Sequence, residues 1–334
     1  MKPKAHLIEL TASGVYCREG GLFIDPWRPV ERAVITHAHF DHTRLGCGSY
    51  LATPETALLM KARLGPDFPV RTARYGESLD ANGVRLSLHP AGHILGSAQV
   101  RLERNGEVWV VTGDFKRDAD PTCAPFEPLR CHGLVTESTF GLPIFRWQEP
   151  AAEIAALHRW WRGNAAAGRP SLLFAYALGK AERVLASLVE EIGPIVVHGA
   201  VESMAAVYRE AGVRLPATRA ADSLGRGELA GALAIAPPAA GGSPWVRRFA
   251  AAPRAMASGW MRIRGNRRRR ALDRGFALSD HADWPALLQT VDESRAERIW
   301  IIHGYAEELA RFLREKGAAA DVLTGGRMPE DPDR

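Results

Sequence analysis

The chain has 334 residues, room for one large domain or two ordinary ones, and its 46% apolar content supplies a sizeable core and excludes a disordered chain. No apolar run reaches the length of a membrane span, and a net charge of +5 permits a polyanionic partner without demanding one. Cys17, Cys47, Cys123 and Cys131 have no CxxC spacing and read as reduced thiols of a cytoplasmic protein, not as a disulfide framework or a zinc knot.

Met1-Lys2-Pro3-Lys4 leads into a strand-like pattern at His6 to Leu10 with no signal-peptide core. Leu22-Phe23-Ile24-Asp25 is a short apolar strand ending in an acid, and Ala33-Val34-Ile35 a second. A helix is predicted from Thr53 to Leu64, with Thr53 as cap and Pro54 in the first turn. Val84 to His89 alternates and turns at Pro90-Ala91-Gly92. Ala98 to Glu103 and Val108 to Thr112 form a hairpin with Asn105-Gly106 at its tip. Gly133 to Thr136 is a further strand.

From about Phe145 to Arg274 helices alternate with short apolar strands. Helices are predicted at Pro150 to Ala167, Lys180 to Ile192 and Ser203 to Ala211. Strands are predicted at Ser171 to Phe174, Ile195 to Val197 and Ala232 to Ile235. The pattern is that of a βα insert around a parallel sheet. After the polar turn Ser279-Asp280-His281-Ala282-Asp283 come a helix, the strand Ile299 to Ile302, a helix from Ala306 to Lys316 and the strand Val322-Leu323. Met328 to Arg334 are expected to fray.

The chemistry gathers at Thr36-His37-Ala38-His39-Phe40-Asp41-His42. At a strand end alternate residues share a face, so His37 and His39 can point at one metal ion, while Asp41 and His42, past the turn, can serve a second. Imidazole and carboxylate together suit zinc, manganese or iron. A dinuclear hydrolytic site needs about seven ligands and an acid that bridges both ions. His93 in a glycine-rich turn, Asp114 after a strand and His303 after another complete such a set, with Asp114 as the bridge. No GxSxG supports serine hydrolase chemistry, and Leu178-Gly179-Lys180 is not a Walker loop, although the start of a helix there could hold a phosphate.

His37-x-His39-x-Asp41-His42, followed by His93, Asp114 and His303, resembles the metallo-β-lactamase superfamily. The insert, with Glu137-Ser138-Thr139-Phe140-Gly141 before it and Ser279-Asp280-His281 and Ile302-His303-Gly304 after it, resembles the β-CASP branch of nucleic-acid nucleases. The resemblance implies an αββα sandwich in two stretches, 1–144 and 276–334, interrupted by a β-CASP domain at 145–275. Ser258 to Met261, the arginines after them and Ser279 to Trp284 look like the bacterial DNA exonucleases encoded beside a DNA ligase and a helicase. DNA is therefore favoured over RNA, with ligase and helicase of the same pathway as implied partners. Eukaryotic Artemis-type members lack a histidine at the last motif; His303 is present here, as in the RNA-cleaving members, so the motif set leaves RNA open.

The resemblance implies two divalent ions, zinc or manganese. His37, His39 and His93 would hold one, Asp41, His42 and His303 the other, with a shared hydroxide attacking phosphorus in line. Asp25 would orient the ligand loop, Glu137 would orient His281 or another imidazole, and His281 would donate a proton to the leaving oxygen or clamp the scissile phosphate. Ser138, Thr139, Lys180 and the run Arg262, Arg264, Arg267, Arg268, Arg269 and Arg270 are candidate nucleic-acid contacts. Trp245 and Trp260 could stack bases or pack in a core. The expected activity is a metal-dependent DNA exonuclease in repair, with an RNA-processing nuclease as the alternative. The long insert and the arginines disfavour a small-molecule hydrolase.

Overall fold

The computed structural model describes residues 6–323, so the expected fraying of 328–334 lies outside the described residues. Two compact units emerge: one comprises the described residues up to Arg146 and from His281 onward, the other Trp147–Asp280.

The first unit is built on two sheets. One has six strands in chain order: Ile8–Thr11, Gly14–Cys17, Leu22–Ile24, Arg32–Val34, Ser49–Ala52 and Val70–Thr72. The other has seven, ordered Ala320–Val322, Arg298–Ile302, Gly133–Glu137, Glu107–Val111, Ala98–Arg104, Val84–Pro90 and Leu79–Ala81. A single core draws on both, joining Ile8, Val15, Leu22, Ile24 and Val34 to Leu86, Leu88, Val100, Leu102, Trp109 and Val135. Alternation along the strands sends these side chains to one face of each sheet. On the other face of the seven-stranded sheet, Ile299 and Ile301 pack with Leu287 of the helix Trp284–Ser294 and with Leu309 and Leu313 of the helix Ala306–Glu315. Two sheets sharing one core, with helices on the outer face of the larger, agree with the αββα sandwich that the resemblance implies.

The expected hairpin forms, Glu107 opposite Arg104, with Asn105 and Gly106 both at positive φ as a tight right-twisted turn requires. The helix Pro54–Leu64 begins as expected: Thr53 Oγ1 accepts the Thr56 amide at 3.1 Å and Pro54 opens the first turn. The hydroxyls of Thr53 and Thr56 both donate to Gly96 O, at 2.7 and 2.9 Å. This helix start therefore anchors the turn that carries His93.

The second unit holds an all-parallel five-stranded sheet, ordered Ile195–Val197, Leu233–Ala236, Ser171–Phe174, Arg254–Ala257 and Arg274–Phe276. Both faces are covered, as a parallel sheet demands. Leu173, Ile195, Val197, Leu233 and Ile235 face the helices Pro150–Ala166, Lys180–Ala186 and Gly199–Glu210, while Leu172, Val196, Ala234 and Ala236 face Val246 and Phe249.

Several elements differ from the expectation. The helix from Lys180 stops at Ala186, where the Ser187 hydroxyl donates to Arg183 O at 3.0 Å, and Glu190–Ile192 is a separate 3-10 turn. The next helix starts at Gly199, four residues ahead of Ser203, because His198 Nδ1 accepts the Ala200 amide at 3.2 Å and serves as an unusual cap. The strands Arg254–Ala257 and Arg274–Phe276, which flank the arginine run, are absent from the expected elements: the first is buried along Ala255–Ala257 and so does not alternate, and the second is a three-residue edge strand, too short for a pattern. Among the described residues no helix is long and apolar enough to cross a membrane, and no disulfide joins the cysteines.

Candidate metal centre

The histidine motif is not a strand end. Pairing stops at Val34, and His37 to His39 occupy a bend closed by the Thr43 amide donating to His39 O at 3.1 Å. What fixes this bend is Asp25. One carboxylate oxygen accepts the Thr36 amide at 2.8 Å; the other accepts the Thr36 hydroxyl at 2.5 Å and lies 2.7 Å from His42 Nδ1. The Thr36 hydroxyl in turn lies 3.0 Å from His37 Nδ1. One acid thus takes up the Nδ1 side of His42 directly and of His37 through Thr36, leaving both Nε2 atoms to present lone pairs.

The donor atoms fall into two groups. His37, His39, His93 and Asp114 place a ligand atom each within 4.8 Å of one another, and so do Asp41, His42 and His303. Asp114 Oδ2 stands between the groups, 3.6 Å from His37 Nε2, 3.9 Å from His93 Nε2 and 3.4 Å from His42 Nε2. Tetrahedral ligands at about 2.0–2.1 Å from one zinc ion lie roughly 3.3–3.4 Å apart, so these spacings suit shared ions.

The polar bookkeeping singles out the same atoms. His37 Nε2, His42 Nε2, His303 Nε2 and Asp114 Oδ1 are buried without a hydrogen-bond partner among the described residues. A buried polar atom left unsatisfied costs roughly 1–3 kcal/mol, and four that converge are the donor set of a cation site. Burial, reinforced by His42, His93 and His39, holds His37 well below the usual imidazole range, which favours the neutral, ligating form. Burial lowers His303 as well, whereas at His42 burial is outweighed by the charges of Asp114, Asp41 and Asp25, which raise the imidazole well above its usual range, so a cation binding there has to displace a proton. Burial opposes ionisation of Asp114, but His42, His281 and His37 outweigh it and keep the carboxyl well below its ordinary range. The residues fit one or two divalent cations.

His281 is buried beside the first group, its ring 4.6 Å from that of His93. Its Nδ1 lies 3.0 and 3.1 Å from the two oxygens of Glu137, the last residue of the strand Gly133–Glu137. The Glu137 carboxylate is fixed by the Phe115 amide at 2.8 Å and the Thr139 amide at 3.3 Å. Glu137, His281 and Asp114 form one buried cluster.

The candidate nucleic-acid residues are dispersed. Ser138 and Thr139 are buried, and the Ser138 hydroxyl donates to His303 O at 2.5 Å, which makes it a brace for His303. Lys180 is buried with its ammonium 3.1 Å from Asp280, and the Gly179 amide ahead of it donates to Glu182 at 2.6 Å. A phosphate there would have to displace both carboxylates. The arginines Arg264, Arg267, Arg268 and Arg269 lie in the short helix Arg264–Arg269, with Arg262 just before it and Arg270 after it, and all but the half-buried Arg267 are exposed. Trp260 is buried, and Trp245 packs on Phe249 and His198.

Two contributors escaped the sequence reading. Thr36 relays Asp25 to His37, and the residue just ahead of His-x-His was the only signal for it. Gly113 faces Thr36: a Cβ there would meet Thr36 Oγ1 at 2.6 Å, and its φ is +56°. His303 itself adopts φ 61°, and a Cβ on the following Gly304 would lie 2.3 Å from Ser138 O, so the chain leaves the strand by a turn that only glycine completes.

No family model matches the chain. A probable DNA ligase of Opitutus terrae is 35% identical over 315 residues, taking in 92% of this chain and 30% of that protein. An endoribonuclease, YSH1, of Saccharomyces cerevisiae is 30% identical over 146 residues, 42% of this chain and 18% of its own length. The transcription termination factor FttA of Pyrococcus abyssi is 31% identical over 228 residues, 54% and 34% of the two chains. The chain thus spans about a third or less of the length of these curated relatives. The solved structure of a protein of unknown function from Enterococcus faecalis shares the fold, with a TM-score of 0.55 at 13% identity over 89% of this chain and 80% of that one.

Proposed function

The chain belongs to the β-CASP branch of the metallo-β-lactamase superfamily, and on that premise we propose that it is a metal-dependent nuclease that hydrolyses phosphodiester bonds. The observation that carries the reading is the pair of buried donor groups on either side of Asp114. His37, His39 and His93 would hold one ion, Asp41, His42 and His303 the other, and Asp114 both. When bound, such ions supply Lewis acidity and lower the pKa of water toward ~7.

The chain's own groups do the rest. Asp25 orients His37 and His42 from behind, which favours a rigid donor set. Glu137 holds His281 Nδ1, so the opposite nitrogen can carry a proton to the leaving oxygen, and the carboxylate favours the imidazolium that precedes transfer. The second unit would be the β-CASP domain, and its exposed arginines would meet the backbone of the strand.

DNA as substrate and a role in repair are supported by the match over most of this chain to part of a probable DNA ligase. RNA is the second reading, favoured by the relative named an endoribonuclease. End-labelled single- and double-stranded DNA and RNA, digested under zinc, manganese and magnesium with metal content measured in parallel, test the proposal. Faster release of mononucleotides from DNA is the expected result. Equal or faster RNA cleavage under the best metal transfers the assignment to RNA, and no cleavage under any metal overturns the nuclease reading.

A further inference from the structure

Among the described residues three large apolar side chains are exposed, and two of them, Phe40 and Leu45, lie in the loop that carries His37 to His42. A single exposed phenylalanine on a protein surface needs no explanation. This one stands between His39 and Asp41, members of the two donor groups, with 56% of its surface open. Its position is fixed: the Thr43 amide bonds back to His39 O, and Arg63 of the helix Pro54–Leu64 donates to Ala38 O. The Arg63 guanidinium also lies 5.9 Å from the Phe40 ring centroid.

Arg63 keeps donor capacity. Some exposed arginines of this unit meet carboxylates, Arg18 with Glu9 at 2.5 Å and Arg85 with Glu103 at 2.5 Å, and others, Arg71 and Arg74 among them, do not among the described residues. Arg63 has no carboxylate within ion-pair distance among the described residues, and one backbone carbonyl uses only part of its donor set. Arg44, in the same loop, keeps its buried Nε without a hydrogen-bond partner. An open aromatic face and a guanidinium with spare donors, its charge only partly offset by Asp41, next to a candidate metal centre are the ingredients by which proteins hold single-stranded nucleic acid.

We propose that Phe40 and Arg63 form a one-nucleotide subsite: a nucleobase stacks on the open face of Phe40 and its phosphate meets Arg63, beside the phosphate that lies at the metals. The subsite rests on the nuclease reading for its choice of ligand. Stacked nucleotides rise about 3.4 Å along a strand, and Phe40 is a single residue from a member of each donor group, so neighbouring nucleotides match neighbouring features of the loop.

The test is equilibrium binding of the full chain to a cleavage-resistant phosphorothioate oligodeoxynucleotide with one abasic position walked along it. Native protein should lose roughly 5- to 150-fold in affinity at one position, the worth of one stacked base. Phe40→Ala should lose as much on the intact strand and show no further loss at that position. Phe40→Tyr should restore the dependence, and Phe40→Leu, which keeps bulk without a π face, should not. Arg63→Gln should flatten the slope of log K against log salt by about 0.7. A native protein indifferent to the abasic walk, or a Phe40→Ala variant that keeps its sensitivity, overturns the subsite, and an unchanged slope removes Arg63 from it. Cleavage of unmodified strands is scored separately. Position-dependent binding without cleavage keeps the subsite and sinks the nuclease reading; cleavage with a flat abasic profile does the reverse; absence of binding sinks the subsite whatever the cleavage result.

Discussion

Each unit buries a knot of charge, and the two knots are built differently. In the first, Asp25, Thr36, His42 and His37 are tied together from behind, while His37 Nε2, His42 Nε2, His303 Nε2 and Asp114 Oδ1 stay without a hydrogen bond among the described residues. In the second, Lys180 meets Asp280 at 3.1 Å, Arg183 donates to Ser279 O, and Glu182 accepts the Gly179 amide at 2.6 Å. The second knot compensates its cations with its own anions and carbonyls, with one Glu182 oxygen left over. Burial pushes the Glu182 carboxyl up to about 7, with Asp280 adding to the shift, so protonation answers for that oxygen. Burial of charge alone therefore does not mark a site. Lone pairs held in place and aimed at a common point do.

The sharpest way to break this contrast is Asp114→Ala. Removing the oxygen between the two groups should lower bound metal from near two ions and cost more activity than the ~10²–10⁴-fold that general acid–base catalysis supplies. Metal analysis and turnover on the best substrate check it; full metal content in the variant would mean that Asp114 does not bridge.

If His281 is the proposed proton donor, His281→Ala should cost roughly 10²–10⁴-fold in turnover with metal content intact, although it also clusters with Asp114 and Glu137. A variant that loses metal instead makes His281 a ligand. Asp25→Asn comes next, with a loss of roughly 10–100-fold in metal affinity or activity, the usual effect of cutting the partner behind a ligand. Competition with a chelator reads it directly, and an unchanged affinity would reduce Asp25 to a turn residue.

The smallest effect belongs to the second knot. A carboxyl with a folded pKa of about 7 against an ordinary 4.5 costs nothing while both states are protonated. Stability is therefore full well below pH 4.5 and is lost as pH rises from about 4.5 to about 7, by on the order of 3 kcal/mol. Glu182→Gln, neutral throughout, should outlast the native chain at pH 8 by about that margin and match it at about pH 3.5. Hydrogen exchange of the strand Ser171–Phe174 reads this unit by itself, and a pH-independent difference would show that Glu182 does not titrate in this range.

How far the residues announced these two knots differs as well. His37-x-His39-x-Asp41-His42 is six residues long and was legible as a ligand set. The Thr53–Pro54 helix start and the Asn105-Gly106 turn were equally plain. Lys180 reads as a candidate nucleic-acid contact at a helix start, because its partner Asp280 lies a hundred residues away in sequence. The pairing of Glu137 with His281 was anticipated through family resemblance and not from spacing, since 144 residues separate them.

By itself, then, the sequence determined what local chemistry determines: apolar runs, caps, glycine turns, and donor types packed into one short stretch. Those follow from sterics and hydrogen bonding among near neighbours. Tertiary structure decided which lone pairs stay unpaired. The histidines converge through a bend tied to Asp25 and Thr36, not through strand alternation, and Lys180 is spent on Asp280. The physical reason is that the state of a polar group depends on the burial and partners that packing brings to it from distant parts of the chain, and no local pattern encodes those.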